Sequence, residues 1–496
     1  MYLLGIDIGT SFIKVSLVET NTQKCIVTVS YPDSENAIIS HRNGWAEQSP
    51  EMWWKQVQEA IVKLHQAAKK ALPTYDSLAI EAIGIAYQMH GLVLVDKNKK
   101  VLRDSIIWCD SRAVSYGEKA FDAIGHQQCL SHLLNAPGNF TAAKLAWVKE
   151  NEPEVFSQIY KVMLPGDYIA MQLSSEITTS IAALSEGIFW DFKNNCISKD
   201  ITQYFGFEAS IFPNIQEVFS HHGALSKTVA STLSLKAGIP ISYKAGDQPN
   251  NALSLNVLEP GEVAATAGTS GVIYGVGDTL SYDLASRVNS FAHINHSATA
   301  HRIGMLLCIN GTGILNSWIK KYVGANYDYS TMNQMASTVA SGSDGITILP
   351  FGNGAERIFN NKIIGAQILG LDLNKHSAAH LFRAAQEGIA FAFRYGLDIM
   401  RENKLQPTMI KAGKANLFQS PVFTHSFVNA TGVPVSLYNV EGSVGAAIGA
   451  GIGAGMYASS KEAFAGLKPI DIITPKESEK YNVLYENWKN KLAQFI

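Results

Sequence analysis

Near the amino end, Gly5 to Leu17 reads GIDIGTSFIKVSL, which sets Asp7 between Ile6 and Ile8. A buried carboxylate without a partner is costly, so an acid in so apolar a run calls for a base, a metal or water. The plain alternative is a strand whose acid faces solvent. Two residues on, Gly9-Thr10-Ser11 makes a bend that leaves backbone N–H groups free, supplies hydroxyls and admits an anion because Gly9 has no side chain. Gly268-Thr269-Ser270, followed by Gly271, repeats the bend 268 − 9 = 259 residues later. Two such bends facing each other across a cleft would clasp a polyphosphate, and Asp7 would then reach a hydrated Mg²⁺ riding on it. Lys14 could add charge there or simply stand on a solvated strand face. The P-loop pattern GxxxxGK[ST] is absent.

A second lead is Gly246-Asp247-Gln248, directly after the apolar run IPISY and Lys244-Ala245. A carboxylate at the carboxyl end of a strand near a lobe junction lies where α/β proteins bind ligands. It could deprotonate a substrate hydroxyl for phosphoryl transfer. From position alone, an Asp capping the helix of PNNALSLNV is an equal reading.

The elements that must position these residues follow from pattern. YLLGIDI, FIKVSLVE and KCIVTVSYP read as a meander of strands with bends at 9–11 and 19–22. A helix is predicted from about Pro50 to Ala71, with Ser49 as N-cap and Pro50 at its first position. The strand EAIGIAY follows and ends at GlnMetHisGly, 88–91. Residues 229–276 read as an αβ step, a helix and then strands on either side of Pro260-Gly261. HSAAHLFRAAQEGIAFAFRYGLDIM carries apolar residues at helical spacing and is predicted to be a long core helix. Strand, Gly-Thr-Ser bend and second strand thus open both halves, which suggests duplication at domain scale, with a boundary near residue 250.

Composition bounds the rest. Of 496 residues, 47% are hydrophobic, enough for about two large cores. Lys plus Arg number 40 against 42 Asp plus Glu, with no dense basic run, so nucleic acid is not expected as a partner. Cys25, Cys109, Cys129, Cys196 and Cys308 lie far apart without CxxC spacing, as expected of reduced thiols in a cytoplasmic protein. The amino end, with Asp7 in its apolar stretch and no basic segment, does not read as a signal peptide. Ser443 to Ala458 is apolar but short of the ~20 residues a membrane span needs, and is built from Gly and Ala. Close helix packing is the expected use, and no membrane partner is expected.

Taken in order, GIDIGTS with Lys14, QMHG (88–91), IIWCDSR (106–112), NFTAAKLAW (139–147), LPGDY (164–168), GDQ (246–248), AGTSG (267–271), GAER (354–357) and EGSVGAA (441–447) resemble the FGGY family of carbohydrate kinases over nearly the whole chain. The resemblance implies an α/β fold of two actin-like, ribonuclease-H-like lobes, residues 1–250 and 251–496, with an ATP and sugar cleft between them. It implies that Asp7 and the Gly9, Thr10, Ser11 bend with Lys14 form the first phosphate site, Asp7 holding the metal through water. Gly268, Thr269, Ser270 and Gly271 match the second phosphate site, and Gly413 and Asn416 belong to the adenosine segment. Asp247 matches the catalytic base, and Met89 and His90 match a pair that contacts the ketose, with Asp110 and Gln248 as further substrate contacts. The residues agree with this: His90, ending a buried strand, can hydrogen-bond a sugar hydroxyl while Met89 packs on the carbon skeleton, although a His there can equally be a satisfied core residue.

Where the family has a Gly-Gly-Gly-Ala run under the adenosine, this chain has Lys411-Ala412-Gly413-Lys414, with Asn416 in place of Ser. Gln248 follows the base where Asn is common, as in glycerol kinases. Two carboxylates common after the LPxDY segment are replaced by Ile181 and Leu184, and Cys109 stands where an amide is usual. The implied activity is ATP- and Mg²⁺-dependent phosphorylation of a ketopentose, D-xylulose to D-xylulose 5-phosphate. Its competitors are a kinase for ribulose, glycerol or gluconate, and a non-catalytic actin-like sugar sensor. The implied partners are the sugar and ATP, and a homodimer is compatible.

Other patterns carry less. GAGIGA (449–454) fits a loose dinucleotide pattern but has no βαβ unit after it. His293 and His296 have an HxxH spacing with His301 near, in apolar surroundings that suggest a strand rather than zinc. Trp45, Trp53 and Trp54 could stack on a sugar, but near a helix start they read as core and hydrophobic staple. Asp110 and Arg112 could touch substrate or pair with each other.

Overall fold

The computed structural model describes all 496 residues. The first half builds β1 (Tyr2–Ile8), β2 (Ile13–Glu19), β3 (Cys25–Tyr31), α1 (Pro50–Ala71), β4 (Ile80–Tyr87), the short helix α2 (Ile181–Glu186), β5 (Ile241–Gly246) and α3 (Asp247–Ser254). The second half builds β6 (Glu262–Ala267), β7 (Gly271–Gly277), β8 (Asn289–Ala292), β9 (Ile303–Ile309), α4 (Ala378–Glu402), β10 (Met409–Gly413), β11 (Val435–Tyr438), α5 (Gly442–Gly453) and β12 (Asp471–Ile473). The meander, the 50–71 helix with its Ser49 cap and the long core helix are as the patterns predict.

Two sheets result. The first is five-stranded in the order β5-β4-β1-β2-β3, and the second seven-stranded in the order β8-β9-β7-β6-β10-β11-β12. In the first, β1 pairs antiparallel with β2, and β2 with β3, while β4 and then β5 run parallel to β1. In the second, β6 pairs antiparallel with β7 and β7 with β9, while β10 and β11 continue parallel on the other side. The same pairing scheme in both halves supports the duplication suggested by the repeated bend.

Strand periodicity sorts β1 into two faces. Leu4, Ile6 and Ile8 share a core with Trp53, Val57, Ile61 and Leu64 of α1. Leu3, Gly5 and Asp7 therefore point the other way, toward α5, whose Ala446, Ala447 and Ile448 share a core with Leu3. α5 comes from the far end of the chain and lies on β1, β4 and β5. Glycines make that approach possible: a Cβ on Gly5 would overlap the Ser443 carbonyl, and one on Gly84 the Ala446 carbonyl. The Gly- and Ala-rich segment is thus a packing helix, and no helix is long and apolar enough to cross a membrane.

Candidate active site

Register places the chemistry on one edge. Ile8 and Gly246 both align with Tyr87 across the parallel strands. The bend after β1, Gln88 to His90 after β4, and Asp247 after β5 therefore leave the sheet side by side, at its carboxyl edge. Asp247 is the first residue of α3, and Gly246 is the capping residue. The capping alternative for Asp247 is thus not what the fold adopts.

Neither Asp7 nor Asp247 has an ion-pair partner. Burial pushes Asp247 up to about 7, with the negative Asp7 beside it adding to the effect and the amides of Gln248 and Asp247 opposing it. Burial likewise raises Asp7 to about 6, against the pull of Lys14 and with a push from Glu441. The alternating pattern of β1 aims Asp7 at the start of α5, where a Cβ on Gly442 would overlap its Oδ2. Lys14 Nζ pairs with Glu441 Oε2 at 2.9 Å, so its charge is shared with the loop before α5. Two uncompensated carboxylates on one edge suit a hydrated divalent cation. No cluster of three His, Cys, Asp or Glu side chains exists to bind one directly, so a metal here would draw its other ligands from water and phosphate, the mode Mg²⁺ favours.

The first bend is held from behind. Thr10 Oγ1 donates to Gln88 Oε1 at 3.0 Å and accepts from Trp108 Nε1 at 3.0 Å. Gln48 Nε2 donates to the Thr10 carbonyl at 2.8 Å, while Gln48 Oε1 accepts from Trp53 Nε1 at 3.1 Å and Gln88 Nε2 at 3.2 Å. The Thr10 hydroxyl proton is therefore committed to Gln88, a correction to its expected part as a phosphate donor. The amides of Thr10 and Ser11 and the Ser11 hydroxyl make no hydrogen bond within the protein, and they are the bend's free donors.

Past the end of β4, His90 takes a left-handed φ of 61°, which turns its ring back onto the end of the strand. Its Nδ1 bonds the Glu186 carbonyl at 3.0 Å, so that nitrogen carries the proton and Nε2 keeps a lone pair. The ring packs edge-on to Phe140, centroids 4.8 Å apart, and lies 5.4 Å from Phe291 of β8. Burial, then the nearby Lys144 and Arg357, hold His90 down to about 3, opposed only by the Glu186 carbonyl, so it stays neutral. Lys144 is fully buried and donates to the His90 carbonyl at 2.8 Å and the Ile107 carbonyl at 3.0 Å. Burial lowers its ammonium to about 7 despite the nearby Asp110. Met89 lines the same floor: a Cβ on Gly246 would lie 2.7 Å from Glu186 Oε2 and against Met89. Gln248 follows Asp247, and its Oε1 is buried with no partner.

Asp110 does not join this group. Its carboxylate is fully buried, forks onto Arg112 (Nη2 to Oδ2 2.7 Å) and accepts the Ala46 amide at 2.6 Å. Of the two readings, the pair with Arg112 holds and the sugar contact falls. Arg112 also pairs with Glu47 at 2.6 Å and lies 3.9 Å from the Trp45 ring centre. Trp53 is entirely core, so the tryptophans form no exposed platform.

In the second half, Gly268 and Thr269 line a cavity of about 310 Å³ together with Gly313, Tyr329, Asn333 and Asn416. A Cβ on Gly268 would lie 3.5 Å from Asn416 Nδ2, which sits at a left-handed φ of 52°. The bend's carbonyls are tied to the next helix, Gly313 N to Gly268 O at 3.0 Å and Ile314 N to Thr269 O at 3.1 Å. Ser270 stands partly exposed at the bend. Gly271 is already buried in β7, where a Cβ would strike Thr312 and Phe393, so close packing and not anion contact explains it. Gly413 ends β10 against Val440, outside the cavity wall and without a left-handed φ. Lys411 turns away to Glu262, at 2.9 Å, and to the Asn256 carbonyl.

The group missed in the sequence is Glu186, whose Oε1 accepts the His90 amide at 3.2 Å. Burial drives its carboxyl well above the usual range, opposed by the His90 amide and assisted by Asp247 and Asp167. The segment after LPGDY, read as having lost its carboxylates at Ile181 and Leu184, thus supplies one at the end of α2. An acid closing an apolar helical turn, IAALSE, was the available signal. His293 is bound to Tyr274 Oη (2.8 Å) and the Val257 carbonyl (3.1 Å), which accounts for it without a metal.

Paired β-hairpin bends on duplicated sheets, with free acids at the carboxyl edge of one, define a two-lobed phosphotransferase of the actin-like class. The FGGY family of carbohydrate kinases, N-terminal domain, matches residues 2–254, and its C-terminal domain matches residues 263–454. The chain is 28% identical over 500 residues to the xylulose kinase of Bacillus subtilis, covering 99% of this chain and 96% of that one. It is 28% identical over 474 residues to the xylulose kinase of Escherichia coli, covering 95% and 92%. The crystal structure of xylulose kinase from Rhodospirillum rubrum superposes with a TM-score of 0.88 at 25% identity, over 100% of this chain and 99% of that one. Plasmodium falciparum glycerol kinase with ADP shares the fold, TM-score 0.88 at 18% identity, over 100% and 98%. The chain belongs to the FGGY family of carbohydrate kinases.

Proposed function

We propose that the chain transfers the γ-phosphoryl group of ATP to the terminal hydroxyl of a ketopentose, D-xylulose, giving D-xylulose 5-phosphate and ADP. The observation that carries this is the row formed by Ile8, Tyr87 and Gly246, which brings a phosphate-type bend, a neutral His–Met pair and an unpaired carboxylate to one edge. The xylulose kinases among its relatives support the choice of sugar.

His90 Nε2 accepts a hydrogen bond from a sugar hydroxyl, and Met89 with Phe140 covers the carbon chain. Asp247 accepts the proton of the attacking hydroxyl as the oxygen bonds to phosphorus and ADP departs. A carboxyl near 7 is well matched to that task at neutral pH. The free amides of Thr10 and Ser11 receive the transferring group, and the Gly268–Thr269 bend with Asn416 receives the nucleotide, whose adenosine enters the cavity of about 310 Å³. Asp7 would hold Mg²⁺ through water; when bound, the metal neutralises phosphate charge. Most of the catalysis is thus positioning and electrostatics.

The test is ADP release, enzyme-coupled, over D-xylulose, D-ribulose, L-ribulose, glycerol and gluconate. D-Xylulose should exceed the others in kcat/KM by at least tenfold. Fast turnover of a different acceptor reassigns the sugar, and none on any acceptor overturns the kinase reading in favour of a sensor.

A further inference from the structure

Beside the Met89–His90 floor stands an acid that the mechanism above does not use. Glu186 is the last residue of α2 and only 2% exposed. One carboxyl oxygen is occupied, since Oε1 accepts the His90 amide at 3.2 Å. The other, Oε2, makes no hydrogen bond in the protein. Its location is fixed by Gly246: the side-chain volume that residue lacks is filled by Glu186 Oε2 and by Met89 Cγ. That free oxygen therefore lies between the residue preceding the base and the methionine of the sugar floor. The same residue's carbonyl sets the His90 tautomer. No lysine or arginine pairs with the carboxyl; Lys144, the nearest cation, spends its protons on the His90 and Ile107 carbonyls.

Burial raises the Glu186 carboxyl well above its usual range, opposed by the His90 amide and Lys144 and assisted by Asp247 and Asp167, and with no cation bonded to it this favours the protonated form. Oε1 takes the His90 amide, so a proton held by the carboxyl resides on Oε2. The result is a fixed hydrogen-bond donor one residue from the base. His90 Nε2 can only accept and Met89 offers neither role, so of the three side chains of this floor only Glu186 can donate to a carbonyl oxygen.

We infer that Glu186 is a specificity-determining residue of the sugar site, its Oε2 donating a hydrogen bond to an oxygen of the open-chain ketose, the carbonyl being the oxygen that can only accept. This rests on the ketose-kinase reading. It implies a preference for a ketose over the corresponding polyol, because a hydroxyl meeting both His90 and Glu186 satisfies them less well than a carbonyl beside a hydroxyl. It also gives a reason why the loss of carboxylates at Ile181 and Leu184 need not cost the site its sugar recognition.

The experiment is a cycle between residue and substrate group, using kcat/KM of wild type, Glu186→Gln and Glu186→Ala on D-xylulose and on its polyols, xylitol and D-arabinitol. Losing one neutral hydrogen bond in a buried site costs about 10-fold or more. Wild type should prefer the ketose by at least 100-fold. Glu186→Ala should narrow that preference by 10-fold or more, and Glu186→Gln, which keeps a donor and an acceptor for the His90 amide, should restore most of it. The inference is overturned if Glu186→Ala lowers ketose and polyol turnover by the same factor, the sign of a purely structural role. It is also overturned if Glu186→Gln leaves the preference as low as Glu186→Ala does. Should Glu186→Ala not fold, the Gln variant decides alone: a preference within about threefold of wild type supports the donor, and collapse of the preference refutes it. Wild type inactive on D-xylulose but active on another ketose would sink the substrate assignment alone, and the same comparison of the variants on that ketose and its polyols would then support or overturn this inference. Inactivity on every ketose would remove both.

Discussion

Replacing Asp247 with Asn separates the cost of the site from its use. Burial and the neighbouring Asp7 raise this carboxyl from 3.8 to about 7. Between those values the folded chain holds a proton that the unfolded chain has released, so stability falls as pH rises through the interval. Below it both states are protonated and the residue costs nothing; above it both are ionised and the full cost is present. At 1.36 kcal/mol per tenfold step, the cost above pH 7 is at most about 4 kcal/mol, and water entering the cleft reduces it toward about 2 kcal/mol. Asn keeps the shape and removes the charge, and because the repulsion is mutual it also relieves Asp7.

The melting temperature of Asp247→Asn should therefore match wild type near pH 4 and exceed it progressively up to pH 8, by about 2–4 °C for a chain of this size. Turnover should fall by about 10²–10⁴-fold, the usual worth of a general base, with the KM for ATP little changed. In wild type, kcat/KM for the sugar should rise with pH and level off above about 7 as Asp247 ionises. Differential scanning fluorimetry from pH 4 to 8, with coupled kinetics on the same samples, reads both. A stability difference that ignores pH, or a variant less stable than wild type at pH 8, would falsify the unpaired-acid account. Turnover near wild type would remove Asp247 as the base.

Gly442→Ala puts a methyl group onto Asp7 Oδ2 and should raise the Mg²⁺ concentration for half-maximal activity by about 10-fold or more; a titration identical to wild type would deny Asp7 its metal. His90 is held down to about 3 by burial, so it is neutral from pH 5 upward and His90→Asn should leave the acidic limb of the kcat/KM profile where it is while raising the sugar KM; a displaced limb would contradict the assignment. Gly84→Ala would strike the Ala446 carbonyl and should lower stability by about 1–3 kcal/mol through overpacking, read as a drop in melting temperature; no drop would mean that α5 can lift from the sheet.

How much of this was legible depends on how far apart in the chain the interacting groups lie. Asp247 follows a glycine at a strand end, and Asp7 stands in an apolar strand end two residues before the glycine of its bend, and that local grammar revealed them without any knowledge of the partner strands. The bends were legible for the same reason, being three-residue events repeated in each half. Glu186 was not, because it meets His90 across 96 positions and its neighbour Asp247 across 61, counted as 247 − 186. Nothing in IAALSE declares which strand ends its helix will meet. Asp110 shows the reverse error: WCDSR contains both members of the pair, but whether the carboxylate faces a ligand or Arg112 is settled only by Glu47, Ala46 and Trp45 closing around it. Gly413, placed in the adenosine segment by the resemblance, ends β10 outside the cavity that Asn416 lines.

Two motif aspartates of the first half make the physical distinction plain. Asp167, from LPGDY, is 2% exposed and pairs with Lys244 at 2.6 Å, and Lys244 also donates to the Thr178 carbonyl at 2.7 Å. Its charge is answered inside the fold, and removing either partner would strand the other, which is the behaviour of a structural ion pair. Asp247 comes three residues after that same Lys244 in sequence, yet alternation along β5 and the turn into α3 send it to the open edge with no cation. Asp7 and Glu186 share the condition. A chain that supplies Lys244 to one buried acid and withholds a cation from three others at a single edge carries a charge deficit there, and the groups able to meet it are protons, a divalent cation and the hydroxyls and carbonyl of a sugar. The unanswered acids, more than any motif taken alone, mark where this protein expects its ligands.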